Sequence, residues 1–257
     1  MRIEKVVPWL TRSCLTAVLA VLLPISVFAA DAGGAPLEQA NVDVSNIASL
    51  QRGARNFVNY CMGCHSAKYV RYNRLARDLD LSEEQVMENL MFTGERPFDT
   101  MQIAMTESSA RTWFGNPPPD LTLIARSRGT DYLYTFLKSF YLDPSRPAGV
   151  NNLMLPGAAM PHVLWELQGF QKAVYEGETD AQGNVHKTFK GFEMATQGSL
   201  APEEYDQFVR DTVNFLAYIG EPMQLQRRNL GFRVLGFLLV FFLFAYFLKK
   251  EIWKDVK

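Results

Sequence analysis

Apolar side chains recur at intervals of three and four residues in the stretch that begins at Ser45. This spacing places them on one face of an α-helix, because a helix completes one turn in about 3.6 residues. Serine is a common N-cap, so the helix is expected to begin at Ser45 and to run into a cysteine pair. The residues that form this apolar face are Ile47, Leu50, Ala54, Phe57, Val58 and Cys61.

Three later stretches also predict amphipathic helices. Residues 82–92 have Ser82 as a candidate N-cap and two acidic residues in the first turn, which the helix dipole favours. Residues 130–142 carry an aromatic and aliphatic stripe that ends at a proline turn. Another helix is expected from about Pro202 to Gly220, with proline and acidic residues in its first turn.

The segments between these helices are rich in residues that break regular structure. Residues 115–119 and 144–161 contain many prolines, glycines and asparagines, which predicts loops. In residues 163–200 the apolar positions follow no clear helical or strand spacing, so we expect surface loops there, with a small hairpin near Gly183 and Asn184. The predicted fold class is therefore mainly α, with loop insertions.

The C-terminal region contains a long apolar stretch, residues 230–248, in which Arg233 is the only charged residue. At about 1.5 Å per residue, this stretch just spans a hydrocarbon core of about 30 Å. A buried core helix is the alternative, but basic residues bracket the stretch on both sides, as is typical of membrane spans. We predict one transmembrane helix at about 230–248, within an anchor and short cytoplasmic tail at 227–257.

The N-terminus has the features of an export signal. Three basic residues occur in the first twelve positions, an apolar run follows, and the small residues Ala29 and Ala30 precede Asp31. This pattern predicts a signal peptide at 1–30, cleaved after Ala29 or Ala30; an uncleaved anchor is the alternative. Residues 31–44 are small and polar, which predicts a tether, and residues 45–226 are then the exported domain.

Charge is unevenly distributed along the 257 residues, although the net formal charge is only −1. Residues 31–229 hold 18 basic against 24 acidic side chains. An acidic exported region argues against nucleic acid as a partner and favours a basic protein. Acidic residues that could steer such a partner are Glu176, Glu178, Asp180, Glu203, Glu204 and Asp206.

The cysteines carry the strongest chemical signal. The chain has three, and Cys14 falls within the predicted signal peptide, so the exported protein retains Cys61 and Cys64. With His65 they form a Cys-x-x-Cys-His sequence, which is typical of covalent attachment of haem c, with the histidine as an iron ligand. A redox dithiol would require a βαβ context, and a zinc site would require a second pair of ligands. The remaining histidines, His162 and His186, are unpaired.

His65 is expected to bind the iron through Nε2 and to bond a backbone carbonyl through Nδ1. The sixth iron ligand is then a residue elsewhere in the chain. Met160 is the candidate because it follows a flexible stretch, residues 155–159, and precedes Pro161, in a loop that could present a thioether. Other methionines are expected to fill the core. The alternatives that stay open are Met154, Met194 and His162.

The segment from Gly53 through Phe57 to the cysteine pair resembles the N-terminal helix of the class I cytochrome c fold, and residues 215–218 resemble its C-terminal helix. In that fold the glycine permits close crossing of the two helices. A glycine inside a helix costs about 1 kcal/mol relative to alanine, so close approach is a physical reason for its presence.

Four features together resemble the cytochrome c1 family, the haem subunits of quinol:cytochrome c oxidoreductases. They are the haem motif, residues 118–122 followed by Arg126 and Arg128, residues 157–161, and a single C-terminal anchor after Pro222. The chain lacks the second cysteine pair of some bacterial members. It also has Met160-Pro-His162 where members carry Met-x-Pro-Pro.

The resemblance implies that Met160 is the sixth ligand, that Arg128 lies near a haem propionate, and that Tyr132 lies near the haem edge. It implies a one-electron carrier, not an enzyme as an isolated chain, that takes electrons from a Rieske iron–sulfur protein and passes them to a soluble or tethered cytochrome c. Cytochrome b would be a further partner. The expected location is the bacterial inner membrane, with the haem domain in the periplasm.

Two other functions are compatible with a haem on an anchored domain. One is an anchored cytochrome that donates to a different terminal oxidase or reductase. The other is a haem-based sensor, which would require an iron with an exchangeable ligand, whereas a relay is expected to be six-coordinate and inert to carbon monoxide.

Overall fold

Nine helices and six short or paired strands make up the part of the chain that the computed structural model describes, residues 36–179 and 185–255. The helices are α1 (Ile47–Tyr60), α2 (Tyr72–Asp78), α3 (Glu83–Asn89), α4 (Glu107–Phe114), α5 (Ile124–Arg128), α6 (Thr130–Lys138), α7 (Trp165–Gln168), α8 (Pro202–Gly220) and α9 (Gln224–Ile252). The strands are β1 (Ala67–Arg71), β2 (Thr100–Met101), β3 (Phe140–Leu142), β4 (Val150–Asn152), β5 (Gly169–Thr179) and β6 (Val185–Gln197). The mainly α prediction is confirmed. The predicted signal peptide lies outside the described residues.

Helices α1 and α8 cross closely at Gly53, as the sequence predicts. A Cβ atom on Gly53 would lie 2.1 Å from the carbonyl oxygen of Asp211 and 2.7 Å from Cβ of Phe215. One turn further along α1, the ring of Phe57 packs on that of Phe215, with centroids 5.5 Å apart. The absence of a side chain at Gly53 is therefore what lets the two backbones meet.

The N-terminus of α1 differs by one residue from the prediction. Asn46, not Ser45, is the N-cap, and its side chain accepts a hydrogen bond from the backbone N–H of Ser49 at 3.1 Å. Ser45 instead bonds the carboxylate of Asp43 through its own N–H and hydroxyl. Because the Ser45 hydroxyl is already hydrogen-bonded to Asp43, the next polar residue, Asn46, caps the helix.

A buried carboxylate joins the two crossing helices. Asp211 on α8 is 2 % exposed and accepts hydrogen bonds from the Ser49 hydroxyl at 2.6 Å and from Nε and Nη2 of Arg52 at 2.6 and 3.0 Å. Gln207 donates a further bond to it at 2.9 Å. Such a carboxylate is stabilising only while its partners are present.

Replacing Asp211 with alanine is expected to lower the free energy of unfolding by about 2 to 4 kcal/mol, because the buried Ser49 hydroxyl and the Arg52 guanidinium lose their acceptor. Urea unfolding of the detergent-solubilised full chain, followed by circular dichroism, measures this change. Arg55→Ala is the matched control, since Arg55 lies exposed on the same α1. Equal stability of the two variants would show that the carboxylate does not hold the helices together.

Helix α3 confirms the helix that residues 82–92 predict, although it is shorter. Ser82 caps it in a capping box, in which its hydroxyl accepts from the Gln85 N–H at 3.1 Å and the Gln85 side chain accepts from the Ser82 N–H at 2.9 Å. Helix α6 also ends earlier than predicted, at Lys138, because residues 140–142 pair with β4 as strand β3.

The region 163–200 is predicted as surface loops with a small hairpin; the structure has a hairpin there, but its strands β5 and β6 are long and take up most of the region. The strands have 11 and 13 residues, and their register shifts twice, between Phe170 and Gln171 and between Val174 and Tyr175. Each shift moves successive side chains to the other face, which removes the simple alternation that a sequence pattern can detect. The predicted turn at Gly183 and Asn184 lies outside the described residues.

The described part of the predicted tether lies against α6. The backbone N–H groups of Glu38 and Ala40 donate to the side chains of Thr135 and Asp131, each at 2.9 Å, and Ala40 is fully buried. Lys138 at the end of α6 bonds both Glu38 and Asp206 of α8. Burial opposes the charge of Lys138, but these two carboxylates outweigh it and raise the pKa of its ammonium group.

Helix α9 contains the predicted membrane span, residues 230–248. Within residues 36–179 and 185–255 it is the one helix that is long and apolar enough to cross a membrane. No part of its apolar stretch is buried against the rest of the chain. A buried core helix is therefore contradicted. At the junction with α8, Glu221 pairs with Arg126 of α5 at 3.1 Å and with Arg227 of α9.

Candidate haem site

One large cavity lies between the end of α1, helices α6 and α8, and the loops at 114–121 and 155–163. Its volume is about 510 Å³, within the range of about 300 to 1,000 Å³ that cofactor and ligand pockets occupy. Its walls are mostly apolar, which excludes water from whatever the cavity holds. Apolar wall residues are Ile124, Leu133, Phe136, Leu137, Val163 and Leu216.

The Cys-x-x-Cys-His residues form one wall of this cavity. Helix α1 ends at Tyr60, and the N–H groups of Cys64 and His65 both donate to the carbonyl of Cys61, at 3.0 and 2.9 Å. This tight turn brings Cys61, Cys64 and His65 to the same cavity. Neither cysteine is in a disulfide bond, so both side chains are free thiols.

His65 is held by a backbone carbonyl, as expected. Its Nδ1 lies 2.8 Å from the carbonyl oxygen of Pro119, which leaves Nε2 as the ring nitrogen for a ligand. Burial lowers the pKa of His65, against the opposing effects of the Pro119 carbonyl and the Asp120 carboxylate. The imidazole is therefore neutral at neutral pH, which is the form that can bind a metal.

The segment 118–122 fixes the carbonyl that holds His65. Leu121 donates its N–H to the carbonyl of Ser66 at 2.8 Å, and the Asp120 carboxylate accepts from the N–H groups of Lys68 and Thr122 at 2.9 and 3.0 Å. These bonds join the residues that follow Pro119 to Ser66 and Lys68, which follow His65, so the Pro119 carbonyl is held beside the imidazole. The sequence motif at 118–122 could be recognised, but its role in orienting the histidine could not.

Met160 lines the same cavity, from the loop at 155–161. The start of this loop is tied to strand β4 by two amides. Oδ1 of Asn152 accepts from the N–H groups of Met154 and Leu155, at 2.9 and 3.2 Å, and Oδ1 of Asn151 accepts from Gly157 at 2.8 Å. No sequence pattern predicts this support of the loop by Asn151 and Asn152.

The other candidates for a sixth ligand lie elsewhere. Met154 is 4 % exposed and packs in a separate small cluster with Leu153, and Met194 is 42 % exposed on β6. His162 is buried, but it stacks on Phe140 and does not line the cavity. Burial lowers the pKa of His162 to about 4, although contacts with the Gly169 backbone and the Gln168 side chain raise it.

Arg128 and Tyr132 also line the cavity. The Arg128 guanidinium lies 5.7 Å from the centroid of the Tyr132 ring, and the Tyr132 hydroxyl donates to the carbonyl of Met154 at 3.5 Å. Among the described residues no carboxylate pairs with Arg128, whereas Arg126 pairs with Glu221. Of these two arginines, Arg128 is the one that can face a carboxylate of a bound group.

These residues fit a covalently bound haem. Two thiols, a neutral imidazole and a thioether converge on one apolar cavity of suitable size. A zinc site is not supported, since no group of three His, Cys, Asp or Glu side chains comes together in the described part of the chain.

The family model of the cytochrome C1 family matches residues 39–256. The chain belongs to the cytochrome c1 family. It is 51 % identical to a cytochrome c1 of Allochromatium vinosum, over 95 % of this chain and 99 % of that one. A cytochrome c1 of Rhodospirillum rubrum is 27 % identical, over 81 % of this chain and 82 % of that protein.

A third relative carries a different name. The ammonia monooxygenase gamma subunit of Nitrosomonas europaea is 44 % identical, over 93 % of this chain and 96 % of that protein. Cytochrome c1 proteins carry one covalently bound haem c and serve as the haem subunit of the cytochrome bc1 complex, and this chain shares that cofactor and that role in electron transport. It is membrane-anchored, which agrees with helix α9.

Proposed function

We propose that this chain relays single electrons from a Rieske iron–sulfur protein to a soluble or tethered cytochrome c, through a haem held by Cys61, Cys64, His65 and Met160. The observation that supports this most is the convergence of these four side chains on one apolar cavity. No substrate bond is made or broken by this chain alone. For electron transfer by a single haem, the protein needs only to hold the iron and to keep water away from it.

Each of the four side chains has one role in this proposal. Cys61 and Cys64 form thioether bonds that prevent loss of the cofactor, and His65 binds the iron through Nε2. Met160 is the sixth ligand, and a thioether in this position raises the reduction potential relative to a second histidine. The bond from His65 Nδ1 to the Pro119 carbonyl fixes the plane of the ring and its basicity.

Arg128 and Tyr132 are proposed to face the edge of the bound group that carries its carboxylates. A guanidinium that has no partner among the described residues can donate two parallel hydrogen bonds to a carboxylate. The Tyr132 ring beside it would hold the guanidinium in place by a cation–π contact.

The cavity walls keep water away from the iron. One-electron exchange between the ferrous and ferric states is the chemistry that the haem supplies when bound. A dry, apolar surrounding disfavours the extra positive charge of the ferric state, so the walls raise the potential in the same direction as the methionine.

The domain organisation and location remain part of the proposal. Residues 1–30 would export the chain, 45–226 would form the periplasmic haem domain, and 227–257 would anchor it in the bacterial inner membrane. Lys249 and Lys250 lie in the last turn of α9 and would be on the cytoplasmic side, which agrees with the positive-inside tendency. Helix α9 would contact cytochrome b within the membrane.

Steering of a basic cytochrome c by acidic residues has partial support. Of the candidate carboxylates, Glu176 pairs with Lys190, Asp206 pairs with Lys138, and Glu204 bonds the N–H of Ala201. A lysine beside a carboxylate offsets its charge, so Glu176 and Asp206 contribute little to steering. Glu204 keeps its charge, because a backbone N–H carries none. Glu203 lies exposed at the start of α8, and the side chains of Glu178 and Asp180 lie outside the described residues.

Replacing Met160 with leucine is expected to lower the reduction potential by on the order of 0.1 V, a fraction of the about 0.8 V that axial ligands span. The variant should also bind carbon monoxide in the ferrous state, which the parent should not. A spectroscopic redox titration of the purified full chain measures the first effect, and a carbon monoxide difference spectrum measures the second.

Met154→Leu is the matched control, because Met154 is buried beside the loop but outside the cavity. It should leave both spectra and potential unchanged. An unchanged potential and spectrum for Met160→Leu would remove Met160 from the iron. Carbon monoxide binding by the parent chain would favour a sensor, and failure to co-purify with a Rieske protein and a haem-b subunit would favour a different electron-transfer complex.

A further inference from the structure

His162 has an environment that the ligand set does not explain. It is 5 % exposed and does not line the haem cavity. The Gly169 backbone and the Gln168 side chain lie near the ring, but its Nε2 atom makes no well-formed hydrogen bond among the described residues. A buried ring nitrogen without a well-formed bond is costly, so the favourable contacts of His162 are those of its ring faces and edges.

The ring of His162 is packed between two aromatic side chains. It is stacked on Phe140 of β3, with centroids 5.1 Å apart and planes inclined by 6°. Phe170 of β5 meets it edge to face at 6.3 Å and 76°. Aromatic pairs prefer these two arrangements, so both neighbours restrict the position and the tilt of the imidazole.

This packing continues to the haem cavity. Phe140 meets Phe136 at 5.2 Å, and Phe136 stacks on Tyr132 at 6.2 Å. Phe136 and Tyr132 both line the cavity. His162 is therefore one member of a continuous row of rings whose inner end forms the cavity wall.

His162 is also joined to Met160 by a stiff connection. Only Pro161 separates them, and its ring fixes its own φ near −65°. Proline also restricts the residue before it to extended backbone conformations. With so little freedom between positions 160 and 162, a ring held at 162 limits where the Met160 side chain can lie.

The two ends of the methionine loop are held by the same small sheet. Asn151 and Asn152 of β4 bind the start of the loop at residues 154–157. Phe140 of β3, which pairs directly with Asn152, holds the end of the loop through His162. The β3–β4 pair thus supports the loop from both sides of Met160.

We infer that His162 is a positioning residue for the sixth ligand: its ring, stacked on Phe140, holds the end of the 155–161 loop so that Met160 stays directed into the haem cavity. The inference rests on the proposed ligation by Met160. It assigns the stacked ring, and not the ring nitrogens, as the part of His162 that acts.

The test measures how easily an added ligand displaces Met160. Imidazole added to the ferric full chain competes with the thioether for the iron, so its apparent affinity rises as the loop opens more often. His162→Ala is expected to bind imidazole about tenfold more tightly than the parent, because the stacked contact that favours the closed loop is gone. His162→Phe, which restores an aromatic ring, should bind imidazole within about twofold of the parent.

Trp165→Ala is the control for a general loss of packing. Trp165 stacks on Phe170 at 5.5 Å, on the outer side of the same row of rings, and is separated from the loop by His162. It should leave imidazole affinity at the parent value. Urea unfolding of all variants shows whether a change in affinity merely follows global stability.

The outcomes separate this inference from the proposed function. If Met160→Leu binds imidazole no more tightly than the parent, Met160 is not the ligand and the proposed ligation fails. If Met160→Leu shows tight binding but His162→Ala resembles the parent, ligation stands and the positioning role of His162 is overturned. The positioning role is also overturned if His162→Phe binds as tightly as His162→Ala, or if Trp165→Ala matches His162→Ala.

Discussion

Replacing both Cys61 and Cys64 with alanine is expected to abolish covalent haem attachment and to leave a chain that does not fold stably. Cys61 and Cys64 carry the thiols that line the cavity, and thiols are the groups that form thioethers with haem. Without attachment, the cofactor can dissociate. The cavity would then be left with apolar walls and nothing to fill it.

The size of the cavity indicates how large the effect on stability should be. At about 24 cal/mol per Å³, a coefficient that applies to closed cavities that stay dry, the space of about 510 Å³ sets an upper limit on the order of 10 kcal/mol. The whole stability of a typical domain is about 5 to 15 kcal/mol. Even a part of this loss is a large fraction of that stability, so degradation of the chain is expected.

Haem staining after denaturing electrophoresis, compared with an immunoblot of the same membranes, measures attachment and chain level separately. Each single variant, Cys61→Ala or Cys64→Ala, should retain a weaker stained band through its remaining thioether. Gly63→Ala is the control, because an added Cβ there meets nothing within 4 Å. A stained band of parental strength from the double variant would contradict attachment at these cysteines.

Replacing Gly53 with valine is expected to lower the free energy of unfolding by about 3 kcal/mol or more. A Cβ at this position would lie 2.1 Å from a backbone oxygen of α8, and backbone cannot rotate away as a side chain can. The two helices must separate. Because α1 ends at the cysteine pair, this separation also moves Cys61 relative to the rest of the cavity, and the yield of haem-loaded chain should fall.

Gly53→Ala tests the same contact against an opposing effect. Alanine favours a helix by about 1 kcal/mol over glycine, so a stabilised Gly53→Ala variant would mean that the close approach does not exist. Arg55→Val controls for the poor helix propensity of valine, since Arg55 is exposed on the same helix. Urea unfolding of the solubilised full chain should give Arg55→Val a loss of less than about 1 kcal/mol.

Local patterns were sufficient to predict the helices that carry one apolar face. In α1 and α8 the apolar residues recur at helical spacing from end to end. The crossing at Gly53 follows from a glycine at a position where α1 faces α8. The N-cap of α1 was misplaced by one residue, since Asp43 binds Ser45. Which of two adjacent polar residues caps a helix depends on such neighbours, and sequence spacing does not contain them.

The hairpin of β5 and β6 was predicted only as a small one, and its length could not be predicted for a different reason. Its two register shifts break the alternation of faces, and its exposed positions carry both charged and apolar side chains, such as Lys172 and Val174. Pairing of strands depends on contacts between distant residues, so a sequence pattern without alternation gives no evidence of it.

In the candidate site, too, the residues in local motifs could be predicted, whereas the distant groups that orient them could not. Cys61, Cys64 and His65 form a local motif that is typical of haem attachment. Met160 is favoured by the proline and glycine residues around it and, above all, by the resemblance to the cytochrome c1 family. The groups that orient these residues, the Pro119 carbonyl and the amide of Asn152, are distant in sequence and common in type. His162 was considered as an iron ligand, whereas the structure places it in a row of rings behind the ligand loop.

The most direct test of the central claim is the mass of one peptide from the exported, purified chain. Trypsin is expected to release residues 56–68, which contain both cysteines and His65. Addition of a thiol across a vinyl group loses no atoms, so the account predicts the peptide mass increased by one intact haem, with neither cysteine reacting with iodoacetamide. A peptide without haem, with both cysteines alkylated or joined in a disulfide, would contradict it.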